Sequence, residues 1–289
     1  MTITSMEQER LAGEGTSLAS HIEAEIRAGR VELPVLPEAA ARVREITAND
    51  GGAREIVAVI EREQSLAAAI LRYSNSVAYA GLREITDLQQ AVTRLGLGTV
   101  EQTVLALSAK AAFAALDQSD EGLYRTLWEH SVTTAFAARR LAPRTPGLSP
   151  ETVFLAGLLH DIGKVVVLRC VGALRKRDPE RYSFERPTVL EFFDGLHCKV
   201  GEHLCRAWNL PTEIRDVVRR HHDPGLEPSD SLIAVVQLAS MVAAKLGASL
   251  HPDPDISLLG TAGASLLRLD DVRVAALLVD VEDDVAQMR

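Results

Sequence analysis

The stretch Val153–Leu168 reads VFLAGLLHDIGKVVVL and places two ionisable residues, His160 and Asp161, inside an otherwise apolar run. A histidine and an aspartate are costly to bury unless each finds a partner. The apolar residues around them predict a buried helix, with Ser149 as its N-cap. The segment Lys164–Leu168 has no obvious partner strand, so we expect it to continue as a helix or as a buried connector. The partners of the two polar residues must then come from other helices.

Helical periodicity dominates the rest of the chain, which predicts an all-α protein. We see no tandem repeat and no low-complexity linker. The polar seam Asp117–Gly122 is the best candidate for a boundary between subdomains. We therefore expect an N-terminal helix over residues 1–30, a helical bundle over 31–118, and a second helical bundle with C-terminal helices over 119–289, packed against the first.

Composition limits the possible functions. The formal net charge of −9 argues against a nucleic-acid-binding surface as the main function. Three cysteines, an odd number without framework spacing, indicate a reducing compartment. The N-terminus has no basic-then-apolar signal segment, and no apolar run approaches the ~20 residues that span a bilayer. We expect a cytoplasmic protein that binds neither a membrane nor nucleic acid.

Several helices aim histidines at the interior. His130 and His197 each share a face with apolar residues at steps of three and four. Gly201, one turn after His197, is expected to let another helix come close. His221 and His222 end a further helix. Taken singly, each of these residues is an ordinary core histidine bonded to a carbonyl group.

Taken together with Asp161, these histidines need mutual partners, and a divalent metal ion supplies one. Neutral imidazoles donate nitrogen to a metal and a carboxylate donates oxygen. Lys164 follows Asp161 within one turn and would be placed to hold an anion such as phosphate. The alternative for Lys164 is a solvated lysine at the end of a helix.

A second set, Cys198, His203 and Cys205, has no paired cysteine spacing of the kind found in zinc sites. Both cysteines are predicted to lie off the helix face that carries the inward histidine, so we interpret them as ordinary packed thiols. His21 and His251 have no partners in the sequence and are expected at the surface or at a helix edge.

These motifs resemble a known family. HDIGK, preceded by WEHS and followed by HCKVG and HH, resembles the HD superfamily of metal-dependent phosphohydrolases. The elements LPVLPEAAARV, NSVAYAG and AVTRLGLG, together with AWNLPTEI, are similar to the HDOD family, the HD-related output domains of bacterial signalling proteins. The resemblance covers about Leu33 to His222.

The resemblance implies a metal site. The first three ligands of HD enzymes correspond here to His130, His160 and Asp161, and the additional histidines correspond to His197, His221 and His222. HD enzymes add a later aspartate, but this chain has Ala239 and then Ser240 at that place. A serine hydroxyl is a poor ligand, so Ser240 marks a degenerate ligand position. With one carboxylate fewer, iron, nickel or zinc is favoured over magnesium.

Two functions are compatible with these residues. The first is a regulatory output module in bacterial signal transduction, non-catalytic, acting by contacts with signalling proteins whose identity the sequence does not give. The second is a metal-dependent phosphohydrolase or cyclic-nucleotide phosphodiesterase, in which Lys164 would hold a phosphate oxygen. The missing aspartate favours the first, and the retained histidines favour the second. HHDPG is not followed by a glycine-tyrosine-proline signature, which weakens the case for a cyclic dinucleotide.

Overall fold

The computed structural model describes residues 18–30, 33–76, 79, 84–113, 120–145, 147–227 and 229–286. These residues form helices and no β-strand, so the all-α prediction is confirmed. The α-helices are, in chain order, α1 (Leu18–Arg27), α2 (Glu38–Ala48), α3 (Ala53–Ile60), α4 (Gln64–Ser74), α5 (Leu88–Leu95), α6 (Leu97–Ala112), α7 (Glu121–Leu141), α8 (Pro150–Leu159), α9 (Ile162–Arg177), α10 (Arg186–Ala207), α11 (Thr212–Arg220), α12 (Ser231–Lys245), α13 (Ala262–Leu266) and α14 (Asp271–Ala286). Among the described helices, none combines the length and the apolar character needed to cross a membrane.

The described residues divide into two compact units, one within residues 35–112 and the other made of the described residues before and after that range. The domain boundaries at residues 30 and 118 stay predictions. Part of the polar seam, residues 117–119, lies outside the described residues, as do residues 1–17.

The smaller unit consists of α2 to α6 around an aliphatic core. Ile56, Ile60, Ile70 and Val100 are fully buried in it. Gly96 separates α5 from α6 with a φ of 80°, a backbone conformation that favours glycine. This glycine therefore allows the chain to turn between the two helices.

Asn75 closes the loop that follows α4. Its side-chain amide donates to the carbonyl oxygen of Ile85 at 2.7 Å, and its side-chain oxygen accepts from the Ile85 amide at 2.8 Å. Most of the NSVAYAG motif, residues 77, 78, 80 and 81, lies outside the described residues. Asn75, the first residue of that motif, thus has a structural role in joining the two ends of the loop.

The larger unit contains the candidate site. Helix α7 packs against α8 and α12, α9 packs against α10, and α11 packs against α10 and α8. Helix α1 packs on α9 and α10, with Ile22 and Ile26 buried. Trp208 donates its indole N–H to the carbonyl oxygen of Pro34 at 2.8 Å, which holds the segment after α1 against the end of α10.

The opening stretch is not one helix. Helix α8 ends at Leu159 and α9 begins at Ile162, so His160 and Asp161 form the junction between them. The predicted Ser149 cap is confirmed, because its hydroxyl accepts from the Thr152 amide at 3.0 Å. Adjacent residues of a continuous helix point about 100° apart. The break lets His160 and Asp161 face the same point, with His160 Nε2 3.4 Å from Asp161 Oδ2.

Two glycines set the distance between α9 and α10. A Cβ atom on Gly163 would lie 1.9 Å from the carbonyl oxygen of His197, and one on Gly201 would lie 2.7 Å from a methyl group of Val218. No side chain fits at either crossing. The prediction that Gly201 allows a close helix approach is therefore confirmed, and the crossing brings His197 next to Asp161.

Candidate metal centre

Asp161 lies at the centre of the cluster. It is the N-cap residue of α9, yet its carboxylate makes no capping hydrogen bond, and the residue is only 2% exposed. Oδ2 lies 3.4 Å from His160 Nε2 and 3.5 Å from His130 Nε2. Oδ1 lies 3.3 Å from His221 Nε2 and 3.5 Å from His197 Nε2. Each carboxylate oxygen therefore faces one pair of imidazoles.

Hydrogen bonds to the main chain fix the protons of these four histidines. Each donates from Nδ1 to a carbonyl oxygen: His130 to Ala248 at 2.8 Å, His160 to Gly157 at 2.7 Å, His197 to Phe193 at 2.6 Å and His221 to Val218 at 3.1 Å. A carbonyl oxygen only accepts, so the proton of each neutral imidazole is on Nδ1 and its Nε2 carries a lone pair. All four lone pairs are therefore available to the space around Asp161.

The burial of these histidines favours their neutral form. It lowers the pKa of His160 well below the ordinary 6.5, with Asp161 opposing the shift, and it lowers the pKa of His197 to about 4. Burial alone would raise the pKa of Asp161, but the ammonium group of Lys164 beside it holds that pKa well below 3.8. At neutral pH the cluster thus presents one carboxylate and several uncharged nitrogen donors, the protonation states that metal binding requires.

The donor set fits a transition metal ion. His130 Nε2 lies 3.2 Å from His160 Nε2, and His197 Nε2 lies 3.2 Å from His221 Nε2, with a lone pair on every nitrogen. Asp161 Oδ1 is buried and accepts no hydrogen bond from any described residue. Lone pairs that face one another around an unsatisfied carboxylate oxygen are stabilised by a shared cation, and imidazole nitrogen suits zinc, iron and nickel.

The ligand atoms form two adjacent groups, each with all its members within 4.8 Å of one another. The first position is His130, His160 and Asp161. The second position is His197, Cys198, His221 and His222. Asp161 lies between the two positions, because its second oxygen faces His197 and His221.

Arg220 holds the turn that carries the last two histidines. Its guanidinium group pairs with Asp230 at 2.8 Å and with Asp223 at 2.9 Å. This turn follows α11 and leaves His222 more exposed than its neighbour, with His222 Nε2 3.1 Å from His197 Nε2. The predicted ligand residues are therefore brought together in space, and their binding of a metal stays a prediction.

Ser240 lies on the wall of the first position. Its hydroxyl is 3.4 Å from His130 Nε2, whereas Ala239, the preceding residue of α12, is fully buried. The Ser240 hydroxyl thus lies beside His130, where the resemblance to HD enzymes predicts the carboxylate of the later aspartate.

Lys164 contacts the carboxylate rather than solvent. Its Nζ atom lies 2.6 Å from Asp161 Oδ2, and only 16% of its side chain is exposed. The interpretation as a solvated lysine is therefore wrong, and the role as a phosphate contact stays a prediction. In this geometry the ammonium group competes with a cation for the Oδ2 atom that serves the first position.

Replacing Lys164 with methionine should tighten metal binding. The change removes a positive charge adjacent to the carboxylate while keeping an unbranched side chain, so we expect about tenfold stronger zinc binding, or roughly 1.4 kcal/mol. Lys199→Met removes the same charge from an exposed position on α10 and is the control. Competition with a chromophoric chelator measures both. Weaker zinc binding by Lys164→Met would show that the lysine supports the site instead of competing.

Cys198 is the residue that sequence reasoning missed. Its sulfur lies 3.3 Å from His197 Nε2, so the prediction that it lies off the histidine-bearing face is wrong. The side chains of adjacent helix residues point about 100° apart. The cluster lies between the directions of the His197 and Cys198 side chains, so both contact it. Cys205 is fully buried, as predicted for a packed thiol, whereas His203 and His251 are exposed. The side chain of His21 lies outside the described residues.

Two curated relatives cover most of the chain. An uncharacterized protein of Treponema pallidum (strain Nichols) is 27% identical over 219 residues, which is 73% of this chain and 42% of the relative. Ribonuclease Y of Acholeplasma laidlawii is 26% identical over 219 residues, which is 74% of this chain and 33% of the relative. The chain thus spans less than half the length of these relatives.

Solved structures share the fold. One is a protein from Shewanella amazonensis SB2B, named as a candidate metal-dependent phosphohydrolase, with a TM-score of 0.69 at 21% identity over 91% of this chain and 98% of that one. Another is an HDOD domain protein of unknown function from Geobacter sulfurreducens, with a TM-score of 0.65 at 23% identity over 92% and 94%. The sequence profile of the HDOD domain matches residues 33–224, about two thirds of the chain. This chain therefore belongs to the HDOD domain family.

Proposed function

We propose that this protein is a non-catalytic output module of bacterial signal transduction whose HD-type site binds a divalent transition metal. Metal binding is supported by four histidine nitrogens that direct lone pairs at the buried carboxylate of Asp161. Membership of the HDOD family supports a role in signalling, because the sequence resembles the HD-related output domains of bacterial signalling proteins.

The loss of one carboxylate argues against catalysis. Hydrolysis of a phosphate ester needs a metal site that keeps an open position and stabilises negative charge as it develops. Here Ser240 provides a neutral hydroxyl 3.4 Å from His130 Nε2, and the Lys164 ammonium group holds one oxygen of the remaining carboxylate. A bound ion would therefore be held mainly by neutral imidazoles, which suits iron, nickel or zinc better than magnesium.

In this proposal the metal has a structural or sensory role. An ion bound only by the folded chain stabilises it by about 2.7 kcal/mol at a hundred times its dissociation constant. The ligands come from α7, the α8–α9 junction, α10 and the turn after α11, so binding ties four segments together. The output would pass through contacts with signalling proteins, without nucleic acid or a membrane. The three free cysteines fit a reducing cytoplasm.

The second candidate is a metal-dependent phosphohydrolase. It is favoured by six ligand residues lying together and by the similarity to ribonuclease Y. In that case His130, His160, Asp161, His197, His221 and His222 would hold the metal, and Lys164 would orient a phosphate oxygen. Against this role, the Lys164 ammonium group lies 2.6 Å from Asp161 Oδ2 and pairs with that carboxylate. It would have to leave the carboxylate to contact a phosphate oxygen.

One assay separates the two candidates. Wild type, Asp161→Asn and Ser240→Asp are loaded with zinc, iron, nickel, manganese or magnesium and tested on bis(p-nitrophenyl) phosphate, a cyclic dinucleotide and single-stranded RNA. We expect wild type and Asp161→Asn to show the same background turnover. Metal-dependent turnover by the wild type that Asp161→Asn abolishes would establish the phosphohydrolase and overturn the proposal.

Ser240→Asp should tighten metal binding in the same set of proteins. An aspartate at this position would bring a carboxylate to the side of His130, and the added charge should strengthen binding by about tenfold. Ser240→Ala is the matched control and should bind the metal like the wild type. Calorimetric titration with zinc measures all three proteins, and equal affinities for the aspartate and alanine variants would contradict the assignment of Ser240 as the degenerate ligand position.

A further inference from the structure

The second position contains a sulfur atom as well as nitrogens. Cys198 Sγ lies 3.3 Å from His197 Nε2, and that nitrogen is 3.2 Å from His221 Nε2 and 3.1 Å from His222 Nε2. The three histidines and the cysteine come from the inner edge of α10 and from the turn after α11. A single atom, His197 Nε2, is thus adjacent to every other donor of the group.

These separations fit a tetrahedral thiophilic ion. Bonds of about 2.0–2.1 Å to nitrogen and about 2.3 Å to sulfur place neighbouring nitrogens about 3.3 Å apart and a nitrogen about 3.6 Å from sulfur. The observed distances of 3.1–3.3 Å are only slightly shorter. The other pairs of donor atoms in this group lie within 4.8 Å of one another, so the four side chains are close enough to be drawn around one ion.

An independent feature points to a cation at the same place. Asp161 is almost completely buried, and its Oδ1 accepts no hydrogen bond from the described residues although it faces His221 and His197. An unsatisfied buried carboxylate oxygen is costly, and a positive ion beside it removes that cost. The cysteine is therefore part of a group that a buried anion also faces.

We propose that Cys198 releases its thiol proton to solvent when the metal binds and serves as a thiolate ligand of the second position, which makes that position selective for thiophilic ions of the zinc and cobalt(II) class over magnesium and manganese. Thiolate sulfur favours the former ions, whereas oxygen donors favour the latter. The inference rests on the proposed metal-binding function and extends it to the identity of one ligand. It also means that reagents for thiols compete with the metal at this position.

Cobalt(II) titration of the full chain tests the assignment. A cobalt–thiolate bond gives an intense sulfur-to-cobalt charge-transfer absorption in the near ultraviolet, separate from the visible bands of any bound cobalt. We expect this absorption in the wild type and in Cys205→Ala, which removes a buried thiol of the same helix outside the cluster. We expect Cys198→Ser to lose it while still binding cobalt at the first position, and to bind its second zinc ion roughly 10- to 100-fold more weakly.

The outcomes distinguish this inference from the proposed function. Visible cobalt bands without sulfur absorption in the wild type, or unchanged absorption in Cys198→Ser, would overturn the ligand assignment alone. Failure of the wild type to bind cobalt would overturn both. If Cys198→Ser does not fold, iodoacetamide labelling of the wild type gives the answer by peptide mass spectrometry. Zinc should slow alkylation of Cys198 and magnesium should not, and an equal rate with and without zinc would contradict the assignment.

Discussion

Gly163→Ala should remove both the metal site and much of the stability of the larger unit. The added methyl group would lie 1.9 Å from the carbonyl oxygen of His197 and 2.7 Å from the Gly201 amide nitrogen. Both contacts are with backbone, which no rotamer change can relieve, so α9 and α10 must separate. We expect a loss of at least about 4 kcal/mol in the free energy of unfolding. A loss of that size lowers the melting temperature by roughly 10 °C.

Gly172→Ala is the matched control for this variant. Gly172 lies in the interior of the same helix, and a Cβ atom there would have no neighbour within 4 Å. Alanine is favoured over glycine within a helix by up to about 1 kcal/mol, so this variant should be as stable as the wild type or more stable. Thermal unfolding is compared after chelator treatment, and zinc content is measured separately. Equal stability and zinc content in the two variants would show that the helix crossing does not position the site.

Asp161→Asn should remove most of the stabilisation by metal. The amide keeps the shape of the side chain but removes the one negative charge that faces both positions. In the wild type, zinc at a thousand times its dissociation constant adds about 4 kcal/mol, which corresponds to a rise of roughly 10 °C in melting temperature. We expect Asp161→Asn to lose the ion at the first position and most of this rise, because the second position keeps its histidines and Cys198 but loses the carboxylate that faces it. Differential scanning calorimetry with and without zinc gives the shift.

Asp216→Asn controls for the loss of a negative charge. Asp216 lies on α11, the helix that ends at His221, and its carboxylate is partly exposed beside Arg219. This variant should keep the full zinc-dependent rise in melting temperature. A comparable rise in Asp161→Asn would mean that the ion binds elsewhere on the chain.

The sequence was sufficient to predict the direction of the inward histidines. Helical periodicity depends only on local spacing, so His130 and His197 could be placed on inner faces without knowledge of any neighbour. The close approach at Gly201 followed from the absence of a side chain. The prediction that the histidines and Asp161 form one site came from the resemblance to the HDOD family. Sequence spacing alone does not bring a histidine of α7 close to one of α10.

The remaining features depend on tertiary contacts that local patterns do not encode. His130 owes its tautomer to a carbonyl 118 residues away in the chain, at Ala248. The break between α8 and α9 was missed because the apolar residues on both sides of it continue without interruption. Cys198 was misassigned because a strict division of α10 into two faces overlooks residues at the edge.

Anomalous diffraction from crystals of the zinc-loaded protein would show whether a metal ion binds beside Asp161. Data collected above and below the zinc absorption edge locate the ion without assumptions about its ligands. We predict a zinc peak between Asp161 and the imidazoles, at about 2.0–2.2 Å from the Nε2 atoms and the carboxylate oxygen that bind it. Zinc found only at surface residues, with no peak beside Asp161, would show that the cluster does not bind the metal.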